Sequence, residues 1–299
     1  MFAVALMPES RSTILIDREA KRRRKTGEDP NVYGPNELKK PRISASEAAK
    51  VIVRPFYMLL REPIVFCLSL LSGFSDALIF TFLEGFTVVY EQGWGFGTLA
   101  CAWAVIPINL AYFLTYFSYF PWFIRDGYIR EHQGEDALAP ERRLKWLLFL
   151  APFEPIGLFG FAWTSLGNAY HVHWIGSMIF STLVGVANYA IYLSSVDYMV
   201  AAYGVYSASA AGGNAFARDL LAGIAAMYTT PLYSNVGHKY KVEDATTILA
   251  CLSCVVVTPI YLFYWKGAYI RSKSKFAESL AVDRKANFGH RVSRSASAP

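Results

Sequence analysis

The sequence predicts an all-α membrane protein, a bundle of six transmembrane helices, and three observations support that fold class. First, 54% of the 299 residues are hydrophobic and only 17% are charged, against about 25% charged residues in a typical soluble domain. Second, residues 1–62 hold thirteen Lys or Arg, whereas residues 63–95 hold none. Third, aromatic residues gather at the ends of the apolar runs, as they do at membrane interfaces. Length alone would also fit one or two soluble domains.

Six apolar runs are long enough to cross a hydrocarbon core about 30 Å thick as helices. They are much longer than a barrel strand of about 10 residues and lack strict alternation, so helix is favoured over strand. Gly and Pro inside several runs are acceptable in a bilayer, where neighbouring helices satisfy the freed backbone groups. The predicted spans are 64–90, 96–124, 146–166, 174–199, 205–233 and 245–265.

The cations predict the orientation of the bundle. Twenty-six of the 29 Lys and Arg residues fall in segments on one side of the six spans, so the positive-inside rule places both termini in the cytosol. We therefore expect residues 1–62 to be a basic cytosolic segment and residues 267–299 a disordered cytosolic tail. The basic run Lys21–Lys25 is interpreted as a topology signal, with a nuclear signal or an anionic-lipid contact as alternatives. A nucleic-acid partner is not indicated. The short apolar segment Phe2–Met7 is interpreted as the end of a longer helix.

Motifs of soluble enzymes are missing from the sequence, which has no P-loop, no G-x-S-x-G and no H-E-x-x-H. We therefore predict no enzymatic activity, no cofactor and no metal. The glycine-rich segment Gly93–Gly97 is predicted to be an external turn rather than a nucleotide site. His171 and His173 are interpreted as solvated or interfacial residues, because two His without a third ligand are a weak metal signal. Cys251 and Cys254 are expected to be packed, reduced thiols rather than a redox pair.

Ionisable residues inside the predicted spans are the main functional candidates, because each raises the free energy of insertion by about 2.5–3.5 kcal/mol at mid-depth. Asp76 and Glu84 lie about 80° apart on the first span, so both can face one interior sector. Arg218, next to Asp219, lies near the middle of the fifth span. A buried carboxylate could bind and release protons in a transport cycle, with Arg218 balancing its charge. The alternatives are a static ion pair that fixes helix packing and an end residue that reaches water.

Four further polar residues lie in the predicted fourth and fifth spans. Each could line a cavity, although an interhelical hydrogen bond is the simpler role. They are Asn188, Tyr192, Asp197 and Asn214.

Three segments of the sequence resemble fungal drug:proton antiporters of the major facilitator superfamily. Arg54–Phe66 is similar to the entry to their seventh span, Gly157–Ser165 to the end of their ninth, and Tyr203–Ala210 to the start of their eleventh. The resemblance covers residues 8–276 in order. It implies that the chain corresponds to the carboxyl-terminal half of a twelve-span fold, with residues 8–50 as the central cytosolic loop. Ala201 departs from the pattern, because many relatives carry Asp there.

The resemblance also implies a function. It implies export of small amphipathic compounds, such as drugs, toxins or polyamines, coupled to protons by alternating access of two bundles in the plasma or vacuolar membrane. Glu84, Asn214 and Arg218 fall on matching family positions. The implied partners are the lipid bilayer and either an amino-terminal half or a second copy. The alternative is a non-transporting fragment or regulatory half that binds a partner bundle. A six-span membrane enzyme is disfavoured, because no nucleophile or metal set is visible.

Overall fold

A computed structural model describes residues 12–27, 31–34, 37, 45–133, 139–237, 240–274 and 276. The segment Phe2–Met7 lies outside the described residues, as do residues 275 and 277–299 of the predicted disordered tail 267–299. Residues 267–272 of that predicted tail are helical instead. Within the described part, residues up to 53 form one compact unit and those from 54 onwards form a second.

The described residues are mainly α-helical and contain no strand. Short 3₁₀ turns, Pro140–Leu144, Asn168–Tyr170 and Gly204–Tyr206, link some of the helices. The α-helices are α1 (Ser12–Thr26), α2 (Ala45–Arg61), α3 (Pro63–Phe86), α4 (Thr98–Trp103), α5 (Ile106–Gln133), α6 (Lys145–Leu150), α7 (Phe153–Thr164), α8 (Trp174–Tyr203), α9 (Ser207–Asn235) and α10 (Lys241–Ser272).

In the first unit, α1 carries the basic run Lys21–Lys25 near its end, and ion pairs neutralise part of that run. Glu19 accepts hydrogen bonds from Arg22 and Arg23 at 2.8–3.1 Å, and these two guanidinium groups lower the pKa of Glu19 to about 2. Arg24 binds both carboxylate oxygens of Glu37 at 2.6 and 2.7 Å.

In the part of the chain that the structure describes, five helical segments are long and apolar enough to cross a membrane, which confirms the all-α membrane fold class. They are Pro63–Gln92, Thr98–Ile129, Pro140–Thr164, Trp174–Tyr203 and Lys241–Ser272. The sixth predicted span corresponds to α9, a helix of 29 residues that is missing from this set of apolar segments. Because α9 includes Asn214, Arg218 and Asp219, its role as a span remains a prediction.

The third membrane-length segment is interrupted in its middle. Pro152 has no N–H to donate, so the hydrogen-bond ladder is broken there and α7 begins at Phe153. This break places Glu154 in the first turn of α7, halfway along the segment Pro140–Thr164.

Two apolar cores occupy the two ends of the second unit. The core at the predicted cytosolic end includes Leu68, Leu71 and Ala151, and the core at the opposite end includes Leu78 and Leu158. Between these two levels, α3, α7 and α8 carry buried or half-buried polar residues. A polar layer therefore separates the two cores at the middle of the helices.

Glycines bring the helices close together beside this layer. A Cβ atom on Gly73 of α3 would lie 2.6 Å from the Leu221 side chain and 3.2 Å from the Ala217 carbonyl oxygen of α9. A Cβ on Gly157 of α7 would lie 2.9 Å from the Phe180 carbonyl oxygen of α8. Small residues thus permit the backbone approach that holds the polar layer together.

Candidate functional site

The polar layer forms the candidate site, here called the mid-span cluster. Asp76 and Asn188 lie near the midpoints of the 30-residue segments Pro63–Gln92 and Trp174–Tyr203. At this depth a charged or polar group has no water unless the protein supplies a cavity, so each such group is a functional candidate. The members of the mid-span cluster are Ser75, Asp76, Tyr112, Glu154, Asn188, Tyr192, Arg218 and Asp219.

Arg218 is the cation of the mid-span cluster. Its Nε lies 3.7 Å from Asp76 Oδ2, and its Nη2 donates a hydrogen bond to Asp219 Oδ1 at 3.2 Å. The guanidinium carbon also lies 5.0 Å from the centre of the Tyr192 ring, within cation–π range. The Arg218 and Asp76 side chains are 25% and 27% exposed, whereas Asp219 is 69% exposed. One cation is therefore shared between an inner and an outer carboxylate.

Asn188 of α8 joins three helices by hydrogen bonds. Tyr112 of α5 donates its hydroxyl hydrogen to Asn188 Oδ1 at 3.0 Å, and Asn188 Nδ2 donates to Ser75 Oγ of α3 at 3.2 Å. The Asn188 side chain also contacts the carboxyl group of Asp76. An amide provides both a donor and an acceptor, so it can hold these groups in register.

The remaining predicted residues lie elsewhere. Glu84 is exposed near the end of α3, whereas Asp76 is half-buried, so the expectation that both face one interior sector stays a prediction. Eight residues separate the two, about 12 Å along the helix axis. Asn214 is buried, and its Oδ1 has no hydrogen-bond partner among the described residues. Asp197 binds Arg143 and accepts a hydrogen bond from the Tyr119 hydroxyl at 3.1 Å.

Asp197 belongs to a second group, here called the rim cluster, which lies at the predicted cytosolic end. Arg271 Nε and Nη2 donate to the two oxygens of Glu141 at 2.7 and 3.0 Å. Arg142 lies 3.2 Å from Asp126. The rim cluster consists of Tyr119, Asp126, Glu141, Arg142, Arg143, Asp197 and Arg271. These pairs tie α5, α8, α10 and the 3₁₀ turn before α6 to one another.

Glu154 was missed by the sequence analysis, although it lies within the predicted span 146–166. Its side chain is fully buried, and Ser75 is the polar group that contacts its carboxyl. The sequence did contain a signal for Glu154. An ionisable residue inside a predicted span is a functional candidate, and this reasoning, which selected Asp76 and Arg218, applies equally to a lone Glu in an apolar run.

The other sequence motifs have structural roles. His173 caps α8, with its Nδ1 accepting a hydrogen bond from the Ile175 N–H at 3.3 Å. Trp94, in the glycine-rich turn, donates its indole N–H to the Val172 carbonyl oxygen at 2.9 Å. Cys251 and Cys254 are free thiols but exposed on α10, so the expectation that they are packed is wrong. The described residues contain no group of three or more His, Cys, Asp or Glu that could hold a metal ion.

No protein-family model matches the chain, and no solved structure matches it. Curated fungal proteins do match. The chain is 32% identical over 279 residues to the MFS-type efflux pump MFS2 of Trichophyton rubrum, covering 91% of this chain and 44% of that protein. It is 30% identical over 278 residues to the probable drug/proton antiporter YHK8 of Saccharomyces cerevisiae, covering 91% and 51%. It is 28% identical over 281 residues to the MFS-type transporter acdC of Aspergillus candidus, covering 92% and 52%.

These matches extend over almost the whole chain, and the chain spans about half the length of the curated relatives it matches. The relatives are transporters and efflux pumps rather than enzymes. The described residues add an all-helical architecture with five apolar segments of membrane length. The chain belongs to the major facilitator superfamily of membrane transporters.

Proposed function

We propose that the chain forms the carboxyl-terminal bundle of a proton-coupled exporter of small amphipathic compounds. In this proposal, residues 1–62 are a basic cytosolic segment, residues 63–266 provide six transmembrane helices, and residues 267–299 are a cytosolic tail. The bundle lies in the plasma membrane with both termini in the cytosol, and it works by alternating access against a second bundle. Two relatives support this assignment by name, one as an efflux pump and one as a probable drug/proton antiporter.

The observation that carries the proposal is the ion pair between Asp76 and Arg218 at mid-span. The two groups are 3.7 Å apart and half-buried, so the pair is loose enough to separate but shielded enough for its charge to matter. When Asp76 takes up a proton, Arg218 loses one of its two carboxylate partners and keeps Asp219. The bonding of Arg218 therefore depends on proton binding, and this is the coupling that an antiporter requires.

A second bundle would complete the pathway. We infer that the exposed Glu84 and the buried Asn214 face the same route as the mid-span cluster, as their matching family positions suggest. This second bundle is either an amino-terminal half or a second copy of this chain. The aromatic rings of Tyr192 and Tyr112 suit apolar parts of an amphipathic substrate, and the carboxylates suit a cationic part.

The test is efflux from cells that express the chain alone or together with an amino-terminal half from one of the relatives. We expect efflux of a labelled amphipathic drug, accompanied by proton uptake, when both halves are present; efflux from cells that express the chain alone would mean that a second copy forms the second bundle. Arg218→Leu should then slow efflux at least tenfold, because no cation remains to respond to Asp76. Glu131→Gln is the control. Because Glu131 lies exposed near the end of α5, the efflux rate of this variant should equal that of the unmodified chain.

A second candidate is a regulatory half that binds a partner bundle and transports nothing. If efflux is absent with either partner while the chain inserts normally into the membrane, this second candidate is preferred and the transport proposal is wrong.

A further inference from the structure

Glu154 is the most completely enclosed carboxyl group among the described residues. Its exposed fraction is 0%, and neither carboxylate oxygen has a hydrogen bond of good geometry. It lies in the first turn of α7, halfway along the segment Pro140–Thr164. The group is therefore remote from water at both membrane surfaces.

No described cation lies beside Glu154. Its carboxyl interacts only with Ser75 among the described groups, and it forms no salt bridge with a described residue, whereas Arg218 pairs with Asp76 and Asp219. The only charged residue of α8, which packs against α7, is Asp197 in the rim cluster. From α3, the nearest charged residue in sequence to Ser75 is Asp76. Charged residues on α10 are confined to its two ends, at Lys241, Glu243, Asp244, Lys266 and Arg271.

The balance of energies favours the neutral acid. The first turn of a helix stabilises a negative charge only modestly, by about 30-fold in the ionisation equilibrium even in partly buried geometries. Burying an unpaired carboxylate disfavours the charged form by a much larger factor, even after the protein relaxes. The second effect is the larger, so an isolated group in this position takes up a proton instead.

Ser75 connects Glu154 to the rest of the mid-span cluster. The Ser75 hydroxyl oxygen accepts a hydrogen bond from Asn188 Nδ2 at 3.2 Å, which leaves its own hydrogen to be donated towards Glu154. Asp76 is the next residue along α3 and contacts Asn188 as well. A continuous set of polar side chains thus runs from the half-exposed Asp76 to the enclosed Glu154.

We propose that Glu154 is a second proton-binding site of the transporter, occupied in this conformation and filled from the Asp76 side through Ser75. In the filling step one proton leaves Asp76, which becomes a carboxylate, and the Ser75 oxygen takes up a proton from that side. The original O–H hydrogen of Ser75 passes to Glu154, which changes from carboxylate to neutral acid, so Ser75 is unchanged. Asn188, which hydrogen-bonds Ser75 and contacts Asp76, holds the groups in register. The freed Asp76 carboxylate then strengthens its pair with Arg218. The use of this proton in export rests on the proposed function, but the occupancy of Glu154 does not.

Infrared difference spectroscopy of the purified chain in lipid nanodiscs tests the occupancy. Near neutral pH we expect the carbonyl band of a buried carboxylic acid that disappears in Glu154→Gln and persists in Asp76→Asn. If the band is the same in Glu154→Gln as in Asp76→Asn, Glu154 is ionised and the proposal is overturned. Should Glu154→Gln fail to fold, uniform labelling with heavy-carbon glutamate must shift the acid band of the unmodified chain; an unshifted band overturns the proposal in the same way.

Ser75→Ala tests the connection. Loss of the Ser75 hydroxyl should raise the frequency of the Glu154 band and slow its hydrogen–deuterium exchange about tenfold, the factor that corresponds to one hydrogen bond of about 1.4 kcal/mol. Ser194→Ala is the matched control. It removes a buried hydroxyl from α8 instead of α3 and should leave both the band frequency and the exchange rate unchanged. Equal exchange in the two variants would contradict the route through Ser75.

These measurements do not require transport. An acid band assigned to Glu154 in a chain that exports nothing with either partner would retain the proton site and reject the proposed function. Efflux in the absence of that band would reject the proton site and retain the proposed function.

Discussion

The rim cluster and the mid-span cluster both contain Asp, Glu and Arg, but they differ in how completely the charges are paired. In the rim cluster, each of three acids has its own Arg, and Glu141 holds Arg271 through two hydrogen bonds. The mid-span cluster has three acids but a single cation, Arg218, which pairs with Asp76 and Asp219. Glu154, the innermost of these acids, has no described cation partner.

The difference separates two uses of charge in a membrane protein. A carboxylate with a dedicated, close Arg is held ionised, so it fixes the helices that carry the two groups. A carboxylate that lacks its own cation can change its protonation state at a smaller energetic penalty. We therefore expect substitutions in the rim cluster to reduce stability, and substitutions in the mid-span cluster to change proton binding and transport.

The largest effect on stability is expected for Glu141→Gln. This change keeps the shape of the side chain but leaves Arg271 without its counter-charge in a nearly buried position, with 11% of the Glu141 side chain exposed. The free energy of unfolding should fall by about 3 kcal/mol, the lower end of the range for breaking a buried pair. Urea titration of the detergent-solubilised chain, followed by tryptophan fluorescence, measures this quantity.

A double variant tests the cause of that loss. Adding Arg271→Met to Glu141→Gln removes the unpaired charge, so part of the lost stability should return. If the double variant is less stable than Glu141→Gln alone, the ion pair is not the reason for the loss.

The sequence predicted the fold class more completely than the site. The apolar runs revealed the membrane helices because a span must hide every backbone polar group and therefore needs about 20 apolar residues. The same reasoning found Asp76 and Arg218, since an ionisable residue in such a run is conspicuous. It could not predict their pairing, because the contact depends on how closely α3 and α9 approach each other.

The features of the site that the sequence did not predict also have physical causes. Helical periodicity placed Glu84 about 80° from Asp76, but an angle along one helix does not show where the neighbouring helices end. The interior position of Glu154 depends on the break at Pro152 and on the packing of α7 against α8 at Gly157, and neither feature can be obtained from periodicity. The rim pair Glu141–Arg271 joins residues 130 positions apart, beyond the reach of any local pattern.

An intermediate effect is expected for Gly73→Val, which tests whether close packing maintains the mid-span cluster. The new side chain would meet the Ala217 carbonyl oxygen and the Arg218 Cα of α9, at 3.2 and 3.3 Å from its Cβ. Overpacking of this kind lowers the free energy of unfolding by about 2 kcal/mol and would move Arg218 away from Asp76. The measurement is again urea titration.

Gly223→Val is the matched control, because a Cβ at Gly223 of α9 would meet nothing within 4 Å. Both variants put the same β-branched residue into a helix, so the difference between them reports packing rather than helix propensity. Equal stabilities would mean that α3 and α9 can separate freely at this level.

The smallest effect on stability is expected for Asp76→Asn, and this variant compares the two clusters most directly. Arg218 keeps Asp219 at 3.2 Å after the change, and the lost contact was a half-exposed pair at 3.7 Å, so the free energy of unfolding should fall by less than about 1 kcal/mol. Asp197→Asn makes the same chemical change in the rim cluster, where Asp197 binds Arg143 and Tyr119, and should reduce stability more.

Proton-coupled efflux with an amino-terminal half should show the opposite order. Efflux should be lost in Asp76→Asn and retained in Asp197→Asn once protein amounts are equalised. If the two variants lose stability and efflux in parallel, the number of cations per carboxylate does not distinguish the two clusters, and both are structural.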